Sequence, residues 1–295
     1  MQKAFIVFQI VNYIVSTTAT IKPSISNHDI DGLISHGKLF DIQDYPFLVF
    51  ILLTRSNDQT SKCTGSLISP LFVLTAAHCT DEVDANNIIV YHYTNSIFKT
   101  RRFVEHLYQH ETYDKIAFTD DISILKLENP FKYISRYIDL AGHPDEFSNA
   151  TSLNCTAIGY GDTDSSRNDE ALGYMTSLTI MYGSEVCSDN IQNTEPWRKL
   201  ICSKPSNHSV CPGDSGGPLI CNGKQYGVAG FIYNIDDMDT TCGNPHIRCG
   251  YLFVHFYSDW ISNVLINTGN LIKLHNKLFN ISVLLIVYSL IKNIF

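Results

Sequence analysis

Seven short runs rich in β-branched and aromatic residues recur along the chain, at 47–54, 72–76, 88–93, 122–127, 152–160, 225–233 and 250–256. They are separated by turns of Gly, Pro, Asn and Asp, residues that turn the backbone rather than extend it. Runs this short favour strands over helices, and such side chains pack well on a pleated surface. The pattern predicts an all-β barrel or sandwich, and its spread over about 230 residues is compatible with two small barrels in tandem. Ser258-Asp259-Trp260-Ile261 can cap and open one closing helix, reaching about Ile266.

Composition sets the compartment and excludes some partners. With 44% apolar and 17% charged residues, the 295-residue chain can bury a sizeable core. A net charge of −8 argues against nucleic acid as a partner, because phosphate binding needs a surplus of Lys and Arg. Nine cysteines are many for a reducing compartment. They form no CxxC pair and no Cys/His cluster at zinc spacing, so disulfides are the expectation rather than a metal site. The odd count leaves at least one thiol over.

The ends suggest export. Lys3, the apolar stretch from Ala4 to Val15 and the small residues Ser16 to Ala19 read as a signal peptide over 1–19. The apolar stretch is too short to span a bilayer comfortably and contains Gln9 and Asn12. Four Asn-x-Ser/Thr sequons, at Asn149, Asn154, Asn207 and Asn280, are compatible with a secreted glycoprotein. At the far end, residues 269–295 form an extension whose apolar run, Leu278 to Ile291, is shorter than a spanning helix needs. It reads either as a glycolipid-anchor signal, hence a membrane tether, or as an interfacial extension.

Three motifs carry chemistry. In Cys211-Pro212-Gly213-Asp214-Ser215-Gly216-Gly217-Pro218-Leu219 a serine stands between glycines, which allow a sharp turn that points N–H groups at a carbonyl. Leu74-Thr75-Ala76-Ala77-His78-Cys79 ends a strand on a histidine, and Asp120-Asp121-Ile122-Ser123-Ile124-Leu125-Lys126-Leu127 begins one with an acid. Singly, each has a bland reading as a turn, a packed histidine or a solvated acid. Together, in the order His, Asp, Ser, they supply a base, an orienting carboxylate and a nucleophile.

With these motifs, Gly159-Tyr160-Gly161 and the closing Trp260-Ile261, the sequence resembles the chymotrypsin/trypsin family of serine proteases from about Ile34 to Thr268. The resemblance implies two six-stranded antiparallel β-barrels of the chymotrypsin type, roughly 34–140 and 141–268, with a C-terminal helix. It also implies a propeptide over 20–33, no cofactor and no metal. The implied activity is a secreted endopeptidase acting on proteins or peptides, with protein protease inhibitors as a further class of partner. Ser215 would be the nucleophile, His78 the general base, Asp121 its orienter, and the N–H groups of Gly213 and Ser215 the oxyanion hole. The implied disulfides are Cys63–Cys79, Cys155–Cys221, Cys187–Cys202 and Cys211–Cys242. Cys249 is left odd, with Cys211–Cys249 as the alternative pairing.

The resemblance also implies a specificity pocket. Its floor would be Ser209, six residues before the nucleophile, and its wall Gly230-Phe231-Ile232. An uncharged floor and a branched wall residue imply cleavage after small to medium uncharged side chains. The runner-up is a basic preference through Asp236, Asp237 and Asp239, against the simpler reading of 234–241 as a solvated loop. Activation would follow cleavage at Leu33-Ile34, the new Ile34 ammonium pairing with Asp214; His36 replaces a usual glycine there. The rival from another class is a non-catalytic protease homologue acting as a binding module.

Overall fold

A computed structural model of the chain describes residues 34–94, 98–117, 119–161, 172–187, 195–234 and 240–267. The signal peptide, the propeptide, the C-terminal extension and residues 235–239 of the acidic loop expected from the sequence lie outside the described residues.

Strands β2 (Leu48–Thr54), β3 (Thr60–Ser69), β4 (Phe72–Thr75), β5 (Ile88–Tyr93), β6 (Lys99–Gln109) and β7 (Ser123–Leu127) form a closed antiparallel barrel in the order β2-β3-β4-β7-β6-β5. Pairing of Phe50 with Tyr91 and Leu53 with Ile88 joins its first and last strands. Closure removes the open strand edges, which explains how β2 and β7 can be buried along most of their length. Ile51, Val73, Leu74, Val90 and Leu125 fill the interior at 0% exposure.

A second barrel is built from β8 (Leu153–Gly159), β9 (Tyr174–Met181), β10 (Leu200–Ser203), β11 (Pro218–Cys221), β12 (Lys224–Asn234) and β13 (Ile247–Phe253). Its strands run β9-β10-β13-β12-β11-β8, and the β8–β9 pairing closes the ring. A short strand, β1 (Lys38–Leu39), adds to β9 from outside. The predicted assignment of residues from 34 onward to the first barrel therefore needs correction. Ser35 bridges to Ser209, and Ile34 is buried in the second core. The physical reason is that β9 and the Ser209 backbone offer partners to extended chain that would otherwise leave its own N–H and C=O groups unpaired. The closing helix runs from 258 to 267 and returns Ile261 to the first core, with Trp260 packed beside it. The two ends of the described chain thus cross over, each packing on the barrel more distant in sequence.

Three of the implied disulfides are formed: Cys63–Cys79, Cys155–Cys221 and Cys187–Cys202. The fourth is not. Cys211 and Cys242 are thiols in hydrogen-bonding contact, and each sulfur is turned toward a backbone carbonyl, Ser209 O at 4.0 Å and Val210 O at 3.7 Å. Cys249 is a buried thiol, pushed up to about 11 by burial.

Candidate active site

The seam between the barrels is stitched by β3. Thr64 N–H donates to Ser215 O at 2.9 Å and Thr64 Oγ1 to Gly213 O at 2.9 Å, while Ser66 Oγ donates to Gln225 Oε1 at 2.7 Å. These buried bonds fix the glycine-rich turn of the second barrel against the first, where the histidine lies.

His78 sits in a single helical turn, Ala77–Thr80, that follows β4. Ala76 at its start has no side chain able to cap. Asp121 supplies the missing acceptor: Oδ1 takes the His78 backbone N–H at 2.7 Å, and Oδ2 takes Nδ1–H at 2.7 Å. One carboxylate thus caps the turn and fixes the ring, with Nε2 as the remaining nitrogen. Asp121 is 2% exposed, whereas His78 keeps 34% of its side chain in solvent. Cys79 Sγ lies 3.8 Å from His78 Nε2 and 3.7 Å from Ser215 O, which brings the ring and the serine to one spot. Although His78, Cys63 and Cys79 cluster closely, the two sulfurs are bonded to one another and are unavailable as thiolate ligands.

In the glycine-rich turn, Asp214, Gly216 and Gly217 donate their N–H groups to Cys211 O, Ala229 O and Asp214 O. The N–H groups of Gly213 and Ser215 donate to no acceptor among the described residues. Gly216 adopts φ +79°, and a Cβ there would lie 2.0 Å from Thr75 Oγ1, so only glycine allows this close approach across the seam.

Asp214 is 1% exposed and turns its carboxylate inward, accepting from Gly161 N–H at 2.8 Å and Cys211 N–H at 2.9 Å. A Cβ at Gly159 would come within 2.2 Å of its Oδ1, and one at Gly161 within 2.7 Å. The Gly159-Tyr160-Gly161 motif is therefore a cradle for this carboxylate. Ile34, expected to pair with it after cleavage, is fully buried in the second core.

A pocket of about 250 Å3 opens beside Ser215, lined by Val210, Pro212, Ala229, Gly230, Phe231 and Ile232 together with Cys211. The three predicted wall residues are all present. Ser209 is not among the lining residues. It is fully buried, its Oγ accepting the Gly243 N–H at 3.1 Å and its carbonyl the Ser35 N–H at 2.9 Å. Its neighbour Val210 lines the pocket instead.

Sequence reasoning missed the support behind Asp121. Asp120 adopts φ +51° and is 7% exposed. It accepts from Lys199 Nζ at 2.5 Å, Thr112 Oγ1 at 2.6 Å and Tyr257 OH at 3.1 Å. Burial pushes its carboxyl up, but these three bonds and the Lys199 charge outweigh burial and hold it below the usual carboxylate value. The only sequence signal was the doubled acid Asp120-Asp121, whose first member reads as a solvated turn residue.

Two closed barrels with Ser, His and Asp gathered at their seam define a protein of the serine protease kind. The trypsin family matches residues 34–261. A relative from Gloydius ussuriensis, the snake venom serine protease ussurin, is 30% identical over 241 residues, covering 78% of this chain and 94% of its own. Two solved structures share the fold. HL collagenase is 21% identical with a TM-score of 0.65, covering 79% of this chain and 97% of that one. A scabies mite inactivated protease paralogue is 24% identical with a TM-score of 0.63, covering 78% and 99%. The chain belongs to the trypsin family. Among the described residues no helix is long and apolar enough to cross a membrane.

Proposed function

We propose that the protein is a secreted serine endopeptidase that hydrolyses peptide bonds through an acyl-enzyme. The two-point hold of Asp121 on His78, next to the pocket that Ser215 lines, is the observation that carries this reading. Ser215 Oγ attacks the scissile carbonyl while His78 Nε2 takes its proton, and Asp121 keeps the Nδ1–H tautomer and stabilises the imidazolium. The N–H groups of Gly213 and Ser215 receive the developing oxyanion, each worth about 3 kcal/mol in the transition state. His78 then passes the proton to the leaving amine, and water attacks the acyl-enzyme by the same route.

Among the described residues no charged side chain lines the pocket, and Phe231 and Ile232 are part of its wall. It suits small to medium uncharged residues, since a buried guanidinium would have no partner there. Activation follows cleavage at Leu33-Ile34, with the new ammonium drawn to the Asp214 carboxylate. Leucine, the residue at position 33, falls within that preference, so the enzyme can activate other copies of its precursor. Asn149, Asn154 and Asn207 are exposed, as glycan acceptors must be.

A fluorophosphonate probe tests the reading directly. Protein cleaved at Leu33-Ile34 should carry the adduct on Ser215, and the absence of any adduct would favour the non-catalytic binding module. For activation, the Ser215→Ala precursor should stay intact alone and be cut at Leu33-Ile34 when active enzyme is added. An intact precursor after that addition would rule out self-activation.

A further inference from the structure

The first barrel carries a second cavity, of about 330 Å3, which shares no lining residue with the pocket beside Ser215. Its floor is apolar, with Phe131 4% and Ile42 9% exposed. Behind Phe131, at 5.6 Å between ring centroids, stands the buried His92, whose Nε2–H donates to Pro46 O at 2.9 Å. Burial holds this imidazole below its ordinary range, so the back wall is neutral.

The mouth is cationic. Arg102 lays its guanidinium 4.9 Å over the Phe131 ring, with Nε donating to Pro130 O and Nη1 to Arg101 O. Its other terminal nitrogen makes no bond among the described residues. Lys132 is exposed beside it. Among the described residues neither cation has a carboxylate within ion-pairing distance and no acidic residue lines the cavity. In a chain of net charge −8, two uncompensated cations at one apolar cavity are a local reversal of sign. Tyr133, 91% exposed, stands at the same rim and offers a wide apolar face to a ligand.

We propose that this cavity is a docking site for an acidic peptide segment. One aromatic side chain of the segment sits on the Ile42–Phe131 floor, and its flanking carboxylates meet Arg102 and Lys132. An Arg already stacked and bonded on one side is preorganised, so little side-chain entropy is lost when its remaining donors take a carboxylate. Two cations are too few to hold a nucleic acid against the chain's overall negative charge. A protein carrying such a segment would be held at two places, which raises the effective concentration of its remaining contacts.

The test uses the full chain with Ser215→Ala, so that binding is read whether or not the protein is a peptidase. Acetylated and amidated Glu-Asp-Phe-Glu-Glu is titrated into it by calorimetry. Saturable binding is expected, weakened at least about tenfold by high salt and by the double change Arg102→Gln, Lys132→Gln. Thr100→Trp, at an exposed lining position, fills the cavity without touching either charge and should weaken binding as much. Thermal melts of both variants, expected at the parent's midpoint, establish that they are folded. No binding of the acidic peptide would overturn the proposal. Equal binding of its Lys-Lys-Phe-Lys-Lys counterpart, of the peptide with Ala for Phe, or to both variants would overturn it equally.

Discussion

The proposed chemistry depends on a few residues whose shape is constrained by a neighbour's carboxylate. At Gly159 a methyl group would displace Asp214 from the Gly161 N–H, leaving a buried charge with a weaker hold. Gly159→Ala should therefore cost about 2 kcal/mol, read as a lower urea midpoint with unchanged slope. An unshifted midpoint would mean that the cradle yields freely. Ser215→Ala is the contrast: a partly exposed hydroxyl contributes little, so stability should stay within about 0.5 kcal/mol while peptidase activity falls by a factor on the order of 10⁴ or more. In the pocket wall, Ile232→Gly should move relative kcat/KM toward peptides with Phe or Tyr before the cleaved bond, by about tenfold or more. A strong preference of the parent for Arg would instead implicate Asp236, Asp237 or Asp239.

At the level of elements, what matters is how the loop before β7 is pinned. Asp120 joins three segments, through Thr112, through Lys199 ahead of β10 and through Tyr257 ahead of the closing helix. Its carboxyl is held below its unfolded value, so the unfolded chain binds the proton more readily. The resulting stability is fully present above the ordinary carboxyl range near about pH 4 and is lost as pH falls through the lowered folded value. Lys199→Met leaves burial to dominate and raises that carboxyl. Acid unfolding followed by near-ultraviolet dichroism should then begin at higher pH in the variant than in the parent. Coincident acid transitions would show that the network contributes nothing to the pinning of Asp121.

For the whole molecule, the three disulfides differ in how much chain they close. Cys155–Cys221 spans 66 residues and Cys187–Cys202 only 15. In the loop-entropy account, replacing the first pair by alanines should destabilise by about 1 kcal/mol more than replacing the second. Chemical unfolding of the two double variants measures the difference, and a larger loss from the short loop would point to packing rather than loop closure. The cavity over Phe131 belongs to this scale as well, because its floor is assembled from the segment before β2 and the connection after β7.

The sequence by itself determined the strand-rich character and the order His78, Asp121, Ser215, while the disulfide pairings came only from the family resemblance. Turn residues, short strand-like runs and motif letters are local, and local signals survive in a linear chain. Several strands escaped that reading. β6 is mostly exposed and carries Lys99, Arg101 and Arg102, while β3 begins in the polar Thr60-Ser61-Lys62, so neither shows a hydrophobic run. Only the tertiary structure decided that Ile34 and β1 join the second barrel, that Ser209 leaves the pocket to Val210, and that Cys211 and Cys242 remain thiols. It alone also assembled the Asp120 network and the cationic cavity. Each of these depends on which distant backbone group satisfies a hydrogen bond or which distant side chain fills a gap. Such choices are made between segments as much as 174 residues apart, as with Ser35 and Ser209, and no spacing along the chain encodes them.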